Sequence, residues 1–158
     1  MSKQSYKIKL RKINTFIFDV DGQILRLMNT KDGYAMKYAI DNGFKISIIT
    51  GGTNLAVKKR LISLGVHKIY LGSHNKINSF NDLIKKFNLN PNEILYVGDD
   101  IPDIPVMKKA GVSACPQDAV QEVKAISDYV SHKNGGSGCV REIIEQVLKV
   151  QGKWVFKN

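Results

Sequence analysis

Short apolar runs and longer amphipathic stretches alternate from one end of the chain to the other. The runs are rich in Ile, Val, Phe and Tyr, as in "INTFIFDV" (13–20), "KISIIT" (45–50), "HKIYLG" (67–72), "EILYVGD" (93–99), "VSACP" (112–116) and "DYVSH" (128–132). Runs of this length with little internal alternation predict strands buried on both faces. Between them the apolar positions change to helical spacing, for example Val57, Leu61 and Leu64. Helices are predicted at about 32–42, 54–64, 76–88, 103–110, 118–126 and 138–151, with Gly43, Gly65 and Gly111 as stop signals. Strand and helix in strict alternation, with no repeat and no Pro/Ser-rich linker, predict an α/β protein. The expected form is a doubly wound parallel sheet with helices on both faces.

Composition narrows the class. A chain of 158 residues with 43% hydrophobic content is expected to fold as a single domain over 1–158. No apolar run reaches the roughly 18 residues of a membrane span, and "MSKQSYKIKLRK" lacks the apolar middle of a signal peptide. The expectation is therefore a soluble, cytoplasmic protein with no membrane partner. Cys115 and Cys139 form no C-x-x-C pair and read as ordinary thiols. The formal charge of +10 favours an anionic partner. Its lysines and arginines are scattered (Lys58 to Arg60, Lys85 and Lys86, Lys108 and Lys109), with no basic patch interleaved with aromatics. Nucleic acid is not expected, and a small anionic substrate is.

In a doubly wound sheet, ligands bind beyond the carboxyl ends of the strands. Four polar clusters fall there: Asp19 and Asp21 after the first strand, Thr50, Gly51 and Gly52 after the second, Ser73 to Lys76 after the third, and Gly98, Asp99 and Asp100 after the fourth. Asp19 and Asp21 are two residues apart, so a strand continuing through both would put them on one side. With Asp99 they make three carboxylates on one rim, an arrangement that repels itself unless a cation sits among them. Oxygen-only ligands of this kind suit Mg2+, which commonly binds carboxylates together with a substrate phosphate. Singly, these residues have simpler readings as a strand end, a helix cap or a surface lysine. Their convergence on one rim favours a site.

"FDVDG", then "IITGG", then Lys76, then "VGDDIPD" resembles the four motifs of the haloacid dehalogenase superfamily, in order and on the expected elements. "NTKDGYAMKYA", "GDDIPDIPVMKKAG" and "NGGSGCVREIIEQVLKVQGKW" extend the resemblance to its capless branch, the octulosonate 8-phosphate phosphatases, over residues 13 to 154. The resemblance implies a Rossmann-like domain without a cap, assembled as a homotetramer. The implied reaction is Mg2+-dependent hydrolysis of a sugar-acid phosphate through an aspartyl-phosphate. Asp19 would be the nucleophile and Asp21 the general acid, then base. Thr50, Gly51, Gly52 and Lys76 would hold the phosphoryl group. Asp19, Asp21 and Asp99 would bind the metal, with Asp100 and Asp103 behind them and Asp103 holding a metal-bound water or Lys76. A receiver-type signalling domain shares the sheet and the acidic pocket. It would need its phospho-accepting Asp after the third strand, where this chain has "LGSHN".

Two departures bear on substrate and assembly. Relatives carry a β-hairpin of about a dozen residues between the second aspartate and "NTKDG", whereas only "GQILRLM" separates Asp21 from Asn29 here. The hairpin helps build the tetramer and shields the site, so a weakened tetramer and a weakly active or idle scaffold are the alternatives it raises. Gly52 also stands where octulosonate phosphatases usually carry an Arg, which leaves the phosphate of the nine-carbon deaminated neuraminic acid as the alternative substrate.

Overall fold

The computed structural model describes residues 3–20 and 29–156. Its six strands form one sheet, every pairing parallel, in the order β3-β2-β1-β4-β5-β6. The strands are β1 (Thr15–Phe18), β2 (Lys45–Ile49), β3 (Lys68–Tyr70), β4 (Ile94–Val97), β5 (Val112–Cys115) and β6 (Tyr129–Val130). All six expected strands are present, each shorter than its apolar run because the run continues into the turns. The helices are α1 (Lys3–Leu10), α2 (Thr30–Asp41), α3 (Leu55–Ser63), α4 (Lys76–Phe87), α5 (Ile104–Lys109), α6 (Gln121–Ile126) and α7 (Cys139–Val150). Helix α1 was not expected. Its sequence is mostly polar and basic, and among its described side chains only Tyr6 and Leu10 are buried.

The sheet separates two apolar layers. On one face Phe16, Phe18, Leu95 and Val97 pack with residues of α1, α2, α3 and α7. On the other, Ile17, Ile49, Ile94 and Tyr96 pack with α4, α5 and α6. Among the described residues no helix is long and apolar enough to cross a membrane.

Strand order sets the position of the rim. From β1 the chain adds β2 and β3 on one side, then crosses to add β4, β5 and β6 on the other. The reversal lies between β1 and β4, the place where doubly wound sheets open a crevice. Phe18 is in register with both Ile48 and Val97, so three carboxyl ends stop at one level.

Helix α7 covers β1 and β4 with Val140, Ile143, Ile144, Val147 and Leu148, yet Gly138 before it has no side chain to cap it. The buried Asp32 of α2 takes that part, accepting from the Arg141 amide at 2.9 Å. Burial raises the Asp32 pKa, and the Arg141 and Gly138 amides only partly oppose it. A raised carboxyl pKa favours the folded state below the unfolded value and loses that contribution as pH rises through the folded one. Asp32→Asn keeps an acceptor without the charge, so at pH 7 it is expected to melt no lower than the parent. Asp32→Ala, which removes the cap, should lose about 1–2 kcal/mol in urea unfolding.

Candidate active site

Strand β1 ends at Phe18, and the ladder continues one bond further, from the Asp19 amide to Val97 O at 3.0 Å. That bond fixes the Asp19 backbone beside β4 at the crevice, with the residue 1% exposed. From the next strand, Thr50 is held by its own amide to Tyr70 O (2.9 Å) and by Ser73 N to its carbonyl (2.8 Å). Its hydroxyl oxygen accepts from Gly52 N at 3.1 Å, which curls the Thr-Gly-Gly turn over the strand end. Gly72 N donates to Gly52 O at 3.0 Å and joins this turn to the one after β3.

Lys76 opens α4 behind that second turn, with Asn75 as the cap accepting from Asn78 N. Its side chain is buried, and its Nζ lies 2.9 Å from Asp19 Oδ2 and 2.9 Å from Asp103 Oδ1. Burial works against the ammonium, but the charges of Asp103 and Asp19 outweigh it and raise the Lys76 pKa. Lys76 is therefore a fixed cation at neutral pH.

Asp103 is fully buried and each of its oxygens receives two donors. Lys76 Nζ and the Tyr96 hydroxyl (2.6 Å) reach Oδ1, while the amides of Asp99 (3.0 Å) and Asp100 (3.2 Å) reach Oδ2. The Asp100 carboxylate turns the other way, accepting from Ile101 N at 2.7 Å as the cap of the helical turn Ile101–Asp103. One ligand oxygen each from Asp19, Asp99 and Asp103 lies within 4.8 Å of the others. The four bonds on Asp103 commit it to orientation, which leaves Asp19 and Asp99 as the described carboxylates suited to a metal. Among the described residues three carboxylates and one ammonium meet here, formally two negative charges in excess, a balance that a hard divalent cation such as Mg2+ completes with oxygen donors alone.

A cavity of about 240 Å3 opens over these groups, walled by Asp19, Gly51, Lys76, Asp99 and also by Ser73, His74 and Pro102. A larger cleft of about 900 Å3 lies between the start of α2 and α7 and shares none of these residues. Its Glu145 is tied along α7 itself, to Arg141 at 2.7 Å and to Lys149 at 3.1 Å, so the smaller cavity, where Lys76 meets carboxylates from two strand ends, is the candidate site. The structure thus brings Asp19, Gly51, Lys76, Asp99, Asp100 and Asp103 together, with Thr50 and Gly52 shaping the adjoining turn. Asp21 lies outside the described residues, as does the "GQILRLM" stretch on which the shortened hairpin was argued. Tyr96 was missed because an aromatic within an apolar strand reads as core, and its hydroxyl is meaningful only once Asp103 is seen beside it. His74, in the turn after β3, also stands in the cavity wall.

The chain matches the haloacid dehalogenase-like hydrolase family over residues 62–143. It is 37% identical to the 3-deoxy-D-manno-octulosonate 8-phosphate phosphatase KdsC of Salmonella typhi, over 92% of this chain and 84% of that one. The KdsC of Escherichia coli K12 is 36% identical with the same coverage. Among solved structures, the Moraxella catarrhalis octulosonate 8-phosphate phosphatase, in complex with magnesium ion, phosphate ion and KDO, superposes with a TM-score of 0.90. It has 30% identity and covers 97% of this chain and 95% of its own. The cobalt-bound Haemophilus influenzae phosphatase gives 0.86 at 29% identity, covering 95% and 96%. By fold, by order of elements and by sequence, the chain belongs to the haloacid dehalogenase-like hydrolases, in the family of the 3-deoxy-D-manno-octulosonate 8-phosphate phosphatases.

Proposed function

We propose that this chain is a Mg2+-dependent phosphatase of 3-deoxy-D-manno-octulosonate 8-phosphate, working through a phosphoryl group carried on Asp19. The observation that carries the reading is the buried Lys76, shared between Asp19 and Asp103 at the mouth of the crevice between β1 and β4. It fixes the Asp19 carboxylate in the cavity that Gly51 of the Thr50-Gly51-Gly52 turn also walls. KdsC relatives at 36 and 37% identity support the sugar-acid substrate, and the magnesium, phosphate and KDO of the Moraxella complex support both metal and product.

In the first step an Asp19 oxygen forms a bond to phosphorus as the bond from phosphorus to the sugar oxygen breaks. Asp21, two residues on, gives that oxygen a proton. In the second step Asp21 takes a proton from water, whose oxygen attacks phosphorus and releases Asp19 and inorganic phosphate. Lys76 neutralises charge on Asp19 and on the phosphoryl oxygens, and Thr50 with the Gly51 amide holds those oxygens in line. Asp99, Asp19 and the Asp21 carbonyl would hold Mg2+, which supplies charge neutralisation at the phosphoryl oxygens. Asp103 anchors Lys76 and the Asp99 amide.

Phosphate release from octulosonate 8-phosphate, from the nine-carbon deaminated neuraminic acid 9-phosphate and from p-nitrophenyl phosphate tests the reading. The eight-carbon substrate is expected to lead in kcat/KM, and a stronger preference for nucleotides or neutral hexose phosphates would overturn it. Asp99→Ala should raise the Mg2+ concentration for half-maximal activity by about tenfold or more, and an unchanged titration would take Asp99 out of the metal site. We further propose a homotetramer weakened by the short Asp21–Asn29 connection, checked by sedimentation across concentration. A cytoplasmic location is supported by two buried, unpaired thiols, Cys115 and Cys139, which suit a reducing compartment.

A further inference from the structure

The apolar layer between the sheet and helices α4, α5 and α6 contains a feature its packing does not require. Tyr96 lies there with 0% exposure, on the central strand β4, in the same cluster as Ile17, Ile49, Phe80 and Val106. A phenylalanine would bury the same ring without bringing a polar group out of water, and a buried hydroxyl costs stability unless it is paired. The Tyr96 hydroxyl is paired once, donating to Asp103 Oδ1 at 2.6 Å. The same oxygen accepts from Lys76 Nζ, and that ammonium is shared with Asp19 Oδ2.

The bonds therefore run from Tyr96 to Asp103 to Lys76 to Asp19. Two carboxylates compete for one ammonium at equal distances of 2.9 Å. A strong donor on Asp103 Oδ1 draws electron density from that oxygen and weakens its hold on Lys76. More of the ammonium's charge is then left for Asp19 and for a phosphoryl group on it. Burial, and after it the charge of Asp103, keep the proton on the phenol, so Tyr96 remains a donor.

We propose that Tyr96 is a positioning residue for phosphoryl transfer, tuning through Asp103 how Lys76 is divided between Asp103 and the nucleophile Asp19. The rate effect rests on the phosphatase reading above, whereas the bond relay stands without it.

The test is Tyr96→Phe, which keeps the ring and removes only the hydroxyl. With p-nitrophenyl phosphate and octulosonate 8-phosphate, kcat is expected to fall about tenfold or more while KM stays within about threefold, since Tyr96 touches no substrate. In metal-free protein labelled with 15N-lysine, the Lys76 Nζ resonance is expected to move in the variant. A packing role alone would change neither. Should the variant fail to fold, the coupling is read in reverse in the Lys76→Met protein, where the 13Cζ signal of Tyr96 should shift. A kcat within twofold of the parent, an unmoved Nζ resonance in folded Tyr96→Phe, or an unmoved Tyr96 signal in Lys76→Met would each overturn the proposal. If the parent hydrolysed no sugar-acid phosphate, the functional reading would fall, and the metal-free resonances would still decide the relay.

Discussion

Asp19→Asn should remove about four to six orders of magnitude from kcat while leaving the protein folded, the range seen when a covalent nucleophile is deleted. The side chain is nearly isosteric, and its amide oxygen can still accept from Lys76, so the buried ammonium keeps a partner on that side as well as Asp103. What disappears is the charged oxygen that attacks phosphorus. Parent and variant should melt within a few degrees of each other, and acid quenching during turnover should trap phosphorylated protein only from the parent. A variant that retained a tenth of the parent's rate with an unchanged melting curve would remove Asp19 from the nucleophile's position.

Gly98→Ala should be nearly as damaging, by a different route. A methyl group on Gly98 would stand 2.4 Å from Asp103 Cβ, 2.6 Å from Cγ and 2.9 Å from Oδ2. Side chains that end loosely can move aside, but Asp103 is fully buried and held by four donors. Relieving the overlap means breaking several of those bonds and stranding Lys76 beside a displaced charge. A destabilisation of about 3 kcal/mol or more is expected, with activity down about 100-fold because Lys76 and the Asp99 amide both lose their anchor. Urea unfolding together with steady-state rates checks both halves. Near-parental values in both would show that the β4 turn is more plastic than its contacts imply.

The strands were readable because central parallel strands are buried on both faces and leave uninterrupted apolar runs such as Phe16 to Phe18. The same rule hid Tyr96, since nothing in a run of core residues marks one hydroxyl as bonded. Helix α1 escaped because a short basic segment with two buried residues carries almost no amphipathic signal. At the fifth helix the expectation began at 103, whereas Ile101–Asp103 forms a tighter turn before α5 starts at Ile104. The difference matters, because that turn aims Asp103 inward at Lys76 and leaves Asp100 as the cap. Asp19, Asp99 and Lys76 were legible from their places at strand ends and at a helix start. Capping of α7 by Asp32, 109 residues earlier, was not legible, since it depends on tertiary contact alone.

The position of α7 also constrains how this protein is made. The layer over Phe16, Phe18, Leu95 and Val97 is completed by Val140, Ile143, Ile144, Val147 and Leu148, which are translated after all six strands. Until they leave the ribosome, the central strands have one apolar face incompletely covered and Asp32 has no α7 amide to accept from. A nascent chain stalled before α7 would carry exposed sheet surface, so completion of this layer waits for α7, and protection in the interval falls to chaperones.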